Sequence, residues 1–574
     1  MSAPRRPRSK LGRLNRLLPP QFSRRHILKM AGAGFAMAAL PGCGDSGGRA
    51  IPASSGGGGV EPPPPNAINP FVHGVATGDP LSDRVIFWTR ATPVATEDIV
   101  VTLQVFTDAA LTQAVGNTTA MATAARDWTI KIDFAGLAPG TTYYYRFMAL
   151  GFSSPVGRTR TAPVGDVSRM RFGVVSCSSL AHGFFNAYRF LAARADIDVV
   201  LHLGDYIYEY GSGEYGNVRA YEPATEMTSL ADYRTRHAQY KRVDTDLQEV
   251  HRQHPFITIW DDHESTDNSW RDGANNHTEG AEGQWPMRKG FAQQAYDEWM
   301  PIRLPEPGNP ARIWRKFSFG RLMDLVMLDT RLFDRDEQLG LPIQPNENPA
   351  AADRTLIGPD QMQFLKDSLT QSPATWKFIG QQVMFGQLKV VGTPNSVNNG
   401  GQYLNGDQWD AYQVERTEIF NHLRAGPINN AVVLTGDIHT SWAMDLTPDP
   451  NNPVEAMGGY NPTTGGGSLA VEYVCTSVTS PGLDQLATAQ DAISGSNPHI
   501  KYVDLERKGY MVFDVTPTRT VGEWWYVSTI ATQGGTEAFA TAFPVANGAN
   551  RLGAALTAPT TPRANAPAPA PAAV

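Results

Sequence analysis

At 574 residues the chain exceeds what one ordinary hydrophobic core supports, so two folded units plus tails are expected. Net charge is -7, but nine of the 49 Lys and Arg precede Cys43 and no acidic residue does, leaving 40 basic against 56 acidic groups. That balance excludes the basic stripes of a nucleic-acid-binding surface. Three cysteines (Cys43, Cys177 and Cys475) likewise exclude a disulfide scaffold, although a single Cys177–Cys475 bridge stays open.

Residues 1–43 read as a targeting segment. A basic region ending in Ser23-Arg24-Arg25-His26-Ile27-Leu28-Lys29 leads into a Gly/Ala-rich apolar run, Met30 to Leu40, too short to span a bilayer. Paired arginines before a weak apolar run resemble a twin-arginine signal, which a receptor of the export machinery reads. Leu40-Pro41-Gly42-Cys43 looks like a lipoprotein cleavage box, so membrane attachment through a Cys43 lipid and soluble release are both open. Residues 44–67, rich in Gly, Ser and Pro, form a linker.

Residues 68–165 have the texture of a β-sandwich. Runs 85–90, 100–107, 128–134 and 142–150 are β-rich and separated by turn signals such as Asp79-Pro80 and Pro139-Gly140. The stretch Gly136 to Tyr145 resembles the corner and strand of a fibronectin type III-like module. No convergent catalytic set is visible in this region.

The chemistry falls in residues 168–537. Phe172–Val175 is an apolar strand ending in Ser176-Cys177; a helix over 184–194 follows, and a second strand, Val199–Leu203, presents Asp205 and Tyr208. Both strands deliver polar residues at the carboxyl end, where open α/β sheets place ligands. Helical periodicity covers 229–254 and 288–300. The run 256–264 ends in Asp261-Asp262-His263-Glu264, and 432–439 ends in Gly436-Asp437-Ile438-His439. Later strands fall at 326–333, 376–386 and 469–480, with a hairpin at 507–530. The pattern predicts a two-sheet α/β sandwich. Residues 543–574, Ala/Pro-rich, are expected to be a disordered tail.

Thiol, phenol, carboxylate and imidazole groups at successive strand ends suit a metal-centred hydrolase: a phenolate is a hard ligand for ferric iron, and a carboxylate can bridge two ions. Cys475 is expected to be buried packing. Trp409, Trp442, Trp524 and Trp525 are expected in core or cleft walls. Arg194, Arg234 and Arg236 are candidate phosphate clamps, with Arg194 carried among the catalytic residues; ion pairing is the alternative for each.

The ordered set FVHGVATGDPLSDRVIFWTR (71–90), SCSSLAHGFFNAY (176–188), HLGDYIYEY (202–210), DYRTRHAQY (232–240), WDDHE (260–264), MLDTR (327–331) and LTGDIHTSW (434–442) resembles the PhoD-like alkaline phosphatase family of calcineurin-like and purple acid phosphatase-related metallophosphoesterases. The resemblance implies a four-layer α/β metallophosphoesterase domain after the β-sandwich. It also implies hydrolysis of phosphate mono- or diesters with Fe3+ and Ca2+. The signal segment places the expected enzyme, a monomer, in the periplasm or extracellular space. Residue by residue, it assigns metal binding to Cys177, Asp205, Tyr208, Asp262, Asp437 and His439, with Asn268 a weaker oxygen donor. It assigns catalysis to Asp205 and to His263, which orients phosphate or protonates the leaving oxygen. A phospholipase D-type enzyme and a catalytically degenerate surface binding protein are the alternatives.

Overall fold

The computed structural model describes residues 68–390, 401–426 and 428–573, so the expected signal, lipobox and linker lie outside the described residues. A nine-stranded sheet runs in spatial order Glu537–Ala546, Arg519–Val527, Gly509–Val515, Met170–Val175, Val199–His202, Pro255–Thr258, Val75–Gly78, Arg84–Arg90, Thr129–Ala135. A seven-stranded sheet runs Arg315–Phe319, Met323–Met327, Trp376–Gly380, Ala431–Thr435, Ala470–Val474, Ser441–Leu446, Ile500–Asp504. The two face each other through aromatic contacts: Phe378 meets Phe172 at 5.3 Å and Phe513 at 5.8 Å, and Tyr473 meets Phe513 at 5.0 Å. In each sheet the central neighbours are parallel, as the buried apolar runs predict.

A five-stranded sheet, built on Ile99–Phe106 and Thr142–Ala149, packs against the outer strands of the nine-stranded sheet. Its alternating inward residues Val101, Leu103, Val105, Tyr145 and Phe147 share a core with Val85 and Phe87 of the nine-stranded sheet. The Tyr143 hydroxyl accepts the Ala138 N–H at 2.8 Å, closing a tyrosine corner.

The five-stranded sheet borrows its second face from the large sheet. Val75–Gly78 pairs in parallel with Pro255–Thr258 and antiparallel with Arg84–Arg90. Gly78 permits that seam: a Cβ there would lie 2.1 Å from the Pro301 carbonyl oxygen.

The expected helix over 229–254 is two helices, Leu230–Val243 and Thr245–Gln253. Asp244 leaves helical geometry (φ -110°, ψ 107°) and its carboxylate caps the Leu247 N–H at 2.9 Å. Ser229 and Asp232 form a capping box at the first start. Trp285–Trp299 ends before Pro301 as predicted.

The tail expectation is corrected. Glu537–Ala546 adds an edge strand, and the chain beyond it lies along the amino-terminal ends of the parallel strands. Arg563 pairs with Asp198 at 2.7 Å, Thr560 N–H donates to Glu523 at 2.9 Å, and Ala570 and Gln253 exchange hydrogen bonds. The Pro567, Ala568 and Pro571 carbonyls accept from Arg158, Tyr144 and Arg252. Low side-chain apolarity argued for disorder, but this strap is held largely by its backbone. Among the described residues no helix is long and apolar enough to cross a membrane.

Candidate metal centre

The strand ends of the two facing sheets converge on one cluster of donors. Cys177 follows Met170–Val175, Asp205 and Tyr208 follow Val199–His202, Asp261 to His263 follow Pro255–Thr258, and Asp437 and His439 follow Ala431–Thr435. Cys177, Asp205, Asp437 and His439 hold positive φ of 59°, 58°, 60° and 61°. Non-glycine residues enter this region at a cost of about 1–3 kcal/mol, and such strain concentrates at functional sites. Here the left-handed turn reverses the chain directly at the strand end.

Three sets each offer ligand atoms within 4.8 Å of one another: Cys177 with Asp205 and His439; Asp205 with Asp262 and His263; Asp261 with Asp262 and Asp437. Asp205 and Asp262 each belong to two sets. The expected convergence of thiol, carboxylate and imidazole is therefore met, and Asp261 joins the donors beyond those predicted.

At the thiol end, the Tyr208 hydroxyl donates to Asp205 Oδ2 at 2.7 Å and lies 3.3 Å from His439 Nε2. Ser480 Oγ sits 2.5 Å from that hydroxyl and 3.0 Å from the Cys177 carbonyl. The Pro481 carbonyl contacts His439 Nδ1 at 2.8 Å, turning Nε2 toward Asp205. Burial and the Asp205 charge push the Cys177 thiol well above its ordinary range.

At the carboxylate end, burial raises the Asp261 carboxyl well above its ordinary value; Arg331 opposes this, while Asp262, Asp205 and Asp437 reinforce it. Asp261 Oδ2 is buried with no hydrogen-bond partner among the described residues. Asn268 sends its backbone N–H to Asp262 Oδ2 at 2.6 Å from a left-handed turn (φ 51°).

This donor chemistry fits resident cations. A buried thiol and clustered carboxylates ionise only where nearby positive charge compensates them. The thiol–phenol–imidazole end suits a transition metal, and the all-oxygen end a harder ion.

Three supporting residues had no assigned role in the sequence reading. Glu209 contacts His263 Nδ1 through Oε2 at 2.6 Å, while its Oε1 accepts from the Asp267 N–H, Asn276 and Thr266. Burial opposes the Glu209 charge, but His263 and the amide outweigh it and hold the carboxyl below its usual range. Glu264 ties two ligand loops by accepting the Asp261, Asp205 and Tyr206 N–H groups; burial and Asp205 raise it to about 8. Arg331 lies among Asp261, Asp262, Asp407 and Asp437. Each stands inside a quoted motif, which was the available signal.

Arg194 is a correction. It hydrogen-bonds the Tyr510 hydroxyl and Glu537 and covers the Trp525 ring at 3.9 Å. It precedes the strand Val199–His202, at the end opposite the ligand loops, so it does not enter the cluster. Arg234 pairs with Glu298, and Arg236 gathers the carbonyls of Tyr208, Tyr210, Glu222 and Pro223, which makes both structural. Cys177 and Cys475 are free thiols, both buried; Cys475 Sγ lies 3.3 Å from the Val174 carbonyl. Trp409, Trp442 and Trp524 are buried in the core.

The family model described as PhoD-like phosphatase matches residues 172–524, and the model for the N-terminal domain of PhoD-like phosphatases matches 59–163. The chain belongs to the PhoD-like phosphatase family. Alkaline phosphatase D of Bacillus subtilis (strain 168) is 36% identical over 470 residues, covering 78% of this chain and 76% of that protein. A solved structure titled "Structure of PhoD" superposes with a TM-score of 0.77 at 33% identity, covering 87% of this chain and 94% of that one. All the donors of this PhoD-like phosphatase lie within the span matched by the main model.

Proposed function

We propose that this PhoD-like phosphatase is an exported metal-dependent hydrolase of phosphate esters, acting on mono- or diesters in the manner of alkaline phosphatase D. The observation that carries the reading is the meeting of Cys177, Asp205 and His439 donor atoms within 4.8 Å. Family membership supplies the reaction class. The intact donor set also argues against a degenerate binding protein.

Cys177, Asp205, Tyr208 and His439 would hold Fe3+, and Asp205 with Asp262, Asp437 and Asn268 would hold Ca2+, joined there by Asp261 of the carboxylate-only set. Bound there, the ions supply Lewis acidity and a nucleophilic oxygen at ambient pH. Asp205, a member of two donor sets, would serve both positions. His263, fixed through Nδ1 by Glu209 and with Nε2 3.9 Å from Asp267 Oδ1, would orient a phosphate oxygen or protonate the leaving oxygen. Packing of Leu191 over Gly173, and of Leu365, Ile419 and Leu423 with Val326, Ile379 and Val433, supports a four-layer reading of the catalytic region. The tyrosine corner supports a fibronectin type III-like reading of the sandwich. Arg24-Arg25 and the apolar run after them support twin-arginine export to the periplasm or beyond, with Cys43 a candidate lipid anchor.

Metal analysis and a visible spectrum on chelator-free protein test the assignment. Iron is expected, with a tyrosinate charge-transfer band that disappears in Tyr208→Phe. A colourless, iron-free and fully active enzyme would overturn the iron assignment. Parallel assays on a phosphomonoester, a phosphodiester and a phospholipid assign the subclass, and a metal-loaded protein hydrolysing none of them refutes the enzymatic reading.

A further inference from the structure

Arg331 is fully buried, and its three nitrogens reach separate carboxylates. Nε donates to Asp261 Oδ1, Nη2 to Asp437 Oδ1 at 2.6 Å, and Nη1 to both oxygens of Asp407 at 2.9 and 3.0 Å. Asp262 Oδ1 lies 3.9 Å from Nη2. Asp407 also accepts from Arg335, so it anchors the far side of the fork. The backbone is pinned as well: the Arg331 N–H donates to Asp329 Oδ1 at 2.9 Å, and the Thr330 N–H to Gln382 at 2.8 Å. Asp261 and Asp437 are two of the three members of the carboxylate-only donor set.

We propose that Arg331 is a positioning residue for the divalent cation, its guanidinium fixing the rotation of the Asp261 and Asp437 carboxylates so that both stay aimed at the shared site. A planar fork can hold three carboxylates at set angles; an ammonium carries the same charge from a single point. The fork also keeps these acidic groups from repelling one another apart before a cation arrives. This inference rests on the metal reading of the site, and concerns a residue that reading does not itself require.

Arg331→Lys keeps the charge and removes the fork, so it isolates geometry from electrostatics. Calcium titration of the iron-loaded protein by calorimetry is expected to show an apparent Kd raised by roughly tenfold or more, the scale typical of lost support to metal ligands. The Tyr208 charge-transfer band should keep its position, and saturating calcium should restore kcat. Asp407→Asn releases the anchor without touching the donor set, and is expected to shift calcium affinity the same way by less; it serves as the readout should Arg331→Lys not fold. Affinities within about twofold of the parent in the variants would overturn the proposal, being far below the support effect expected. Parent protein that takes up no calcium while hydrolysing esters would instead refute the calcium reading, and this inference with it.

Discussion

Lys241 offers a stability prediction worked directly from its surroundings. Its ammonium is buried beneath the ligand loops, donating to the Tyr206 hydroxyl at 2.7 Å and facing the Trp88 and Tyr206 rings at 4.9 and 4.7 Å. The imidazoles around it are neutral: burial lowers His73 and His202 to about 3, and His237 and His251 well below their ordinary value. Burial lowers Lys241 itself from 10.5 to about 7. Between those values the unfolded chain binds the proton and the folded chain does not, so stability rises with pH from about 7 to 10.5. At about 1.4 kcal/mol per pH unit, the interval is equivalent to about 5 kcal/mol against folding at and below pH 7. Lys241→Met removes that penalty, and also removes a hydrogen bond worth about 1 kcal/mol and cation–π contacts worth about 1–2 kcal/mol. The net expectation is a variant more stable by about 2 kcal/mol at pH 7, within the range for apolar replacement of buried charges. Denaturant unfolding followed by tryptophan fluorescence at pH 7, 8.5 and 10 checks it. The gap should close or reverse toward pH 10; a gap independent of pH, or a destabilised variant at pH 7, would refute the reasoning.

Glu209→Gln keeps the Oε1 acceptor for the Asp267 N–H, Asn276 and Thr266 and changes only the contact with His263 Nδ1. A loss of about 10- to 100-fold in kcat/KM is expected, measured on a phosphodiester, with the thermal midpoint little changed. Deleting residues 557–574 removes the strap, including the Arg563–Asp198 pair and the Ala570–Gln253 exchange. The melting midpoint should fall while kcat stays, because those contacts lie at the strand ends opposite the donors. An unchanged midpoint would show the strap to be idle.

The donor-bearing loops were legible because each pairs a buried apolar strand with an abrupt polar terminus, as in Val432 to His439. The break at Asp244 was harder, since an acidic residue inside a helical period reads equally as exposed face or as cap, and only backbone geometry decides. Arg194 was misplaced because charge and motif position do not say which end of a strand a connection occupies. The parts played by Glu209, Glu264 and Arg331 depend on which loops the sheet register brings together, and local spacing carries no record of that. The strap was missed because composition weighs side chains, whereas much of its attachment is through carbonyl oxygens.

The seam between the first described strand and Pro255–Thr258, together with the closing strap, has a consequence for biogenesis. Early residues wait for partners synthesised much later, and Tyr144 and Arg158 receive contacts from Ala568 and Pro567, 424 and 409 positions further on. Long-range pairings of this kind slow folding and leave unpaired edges exposed in the meantime. A ribosome-bound fragment that stops short of these late residues therefore has no finished half to shelter in, and maturation waits until they emerge.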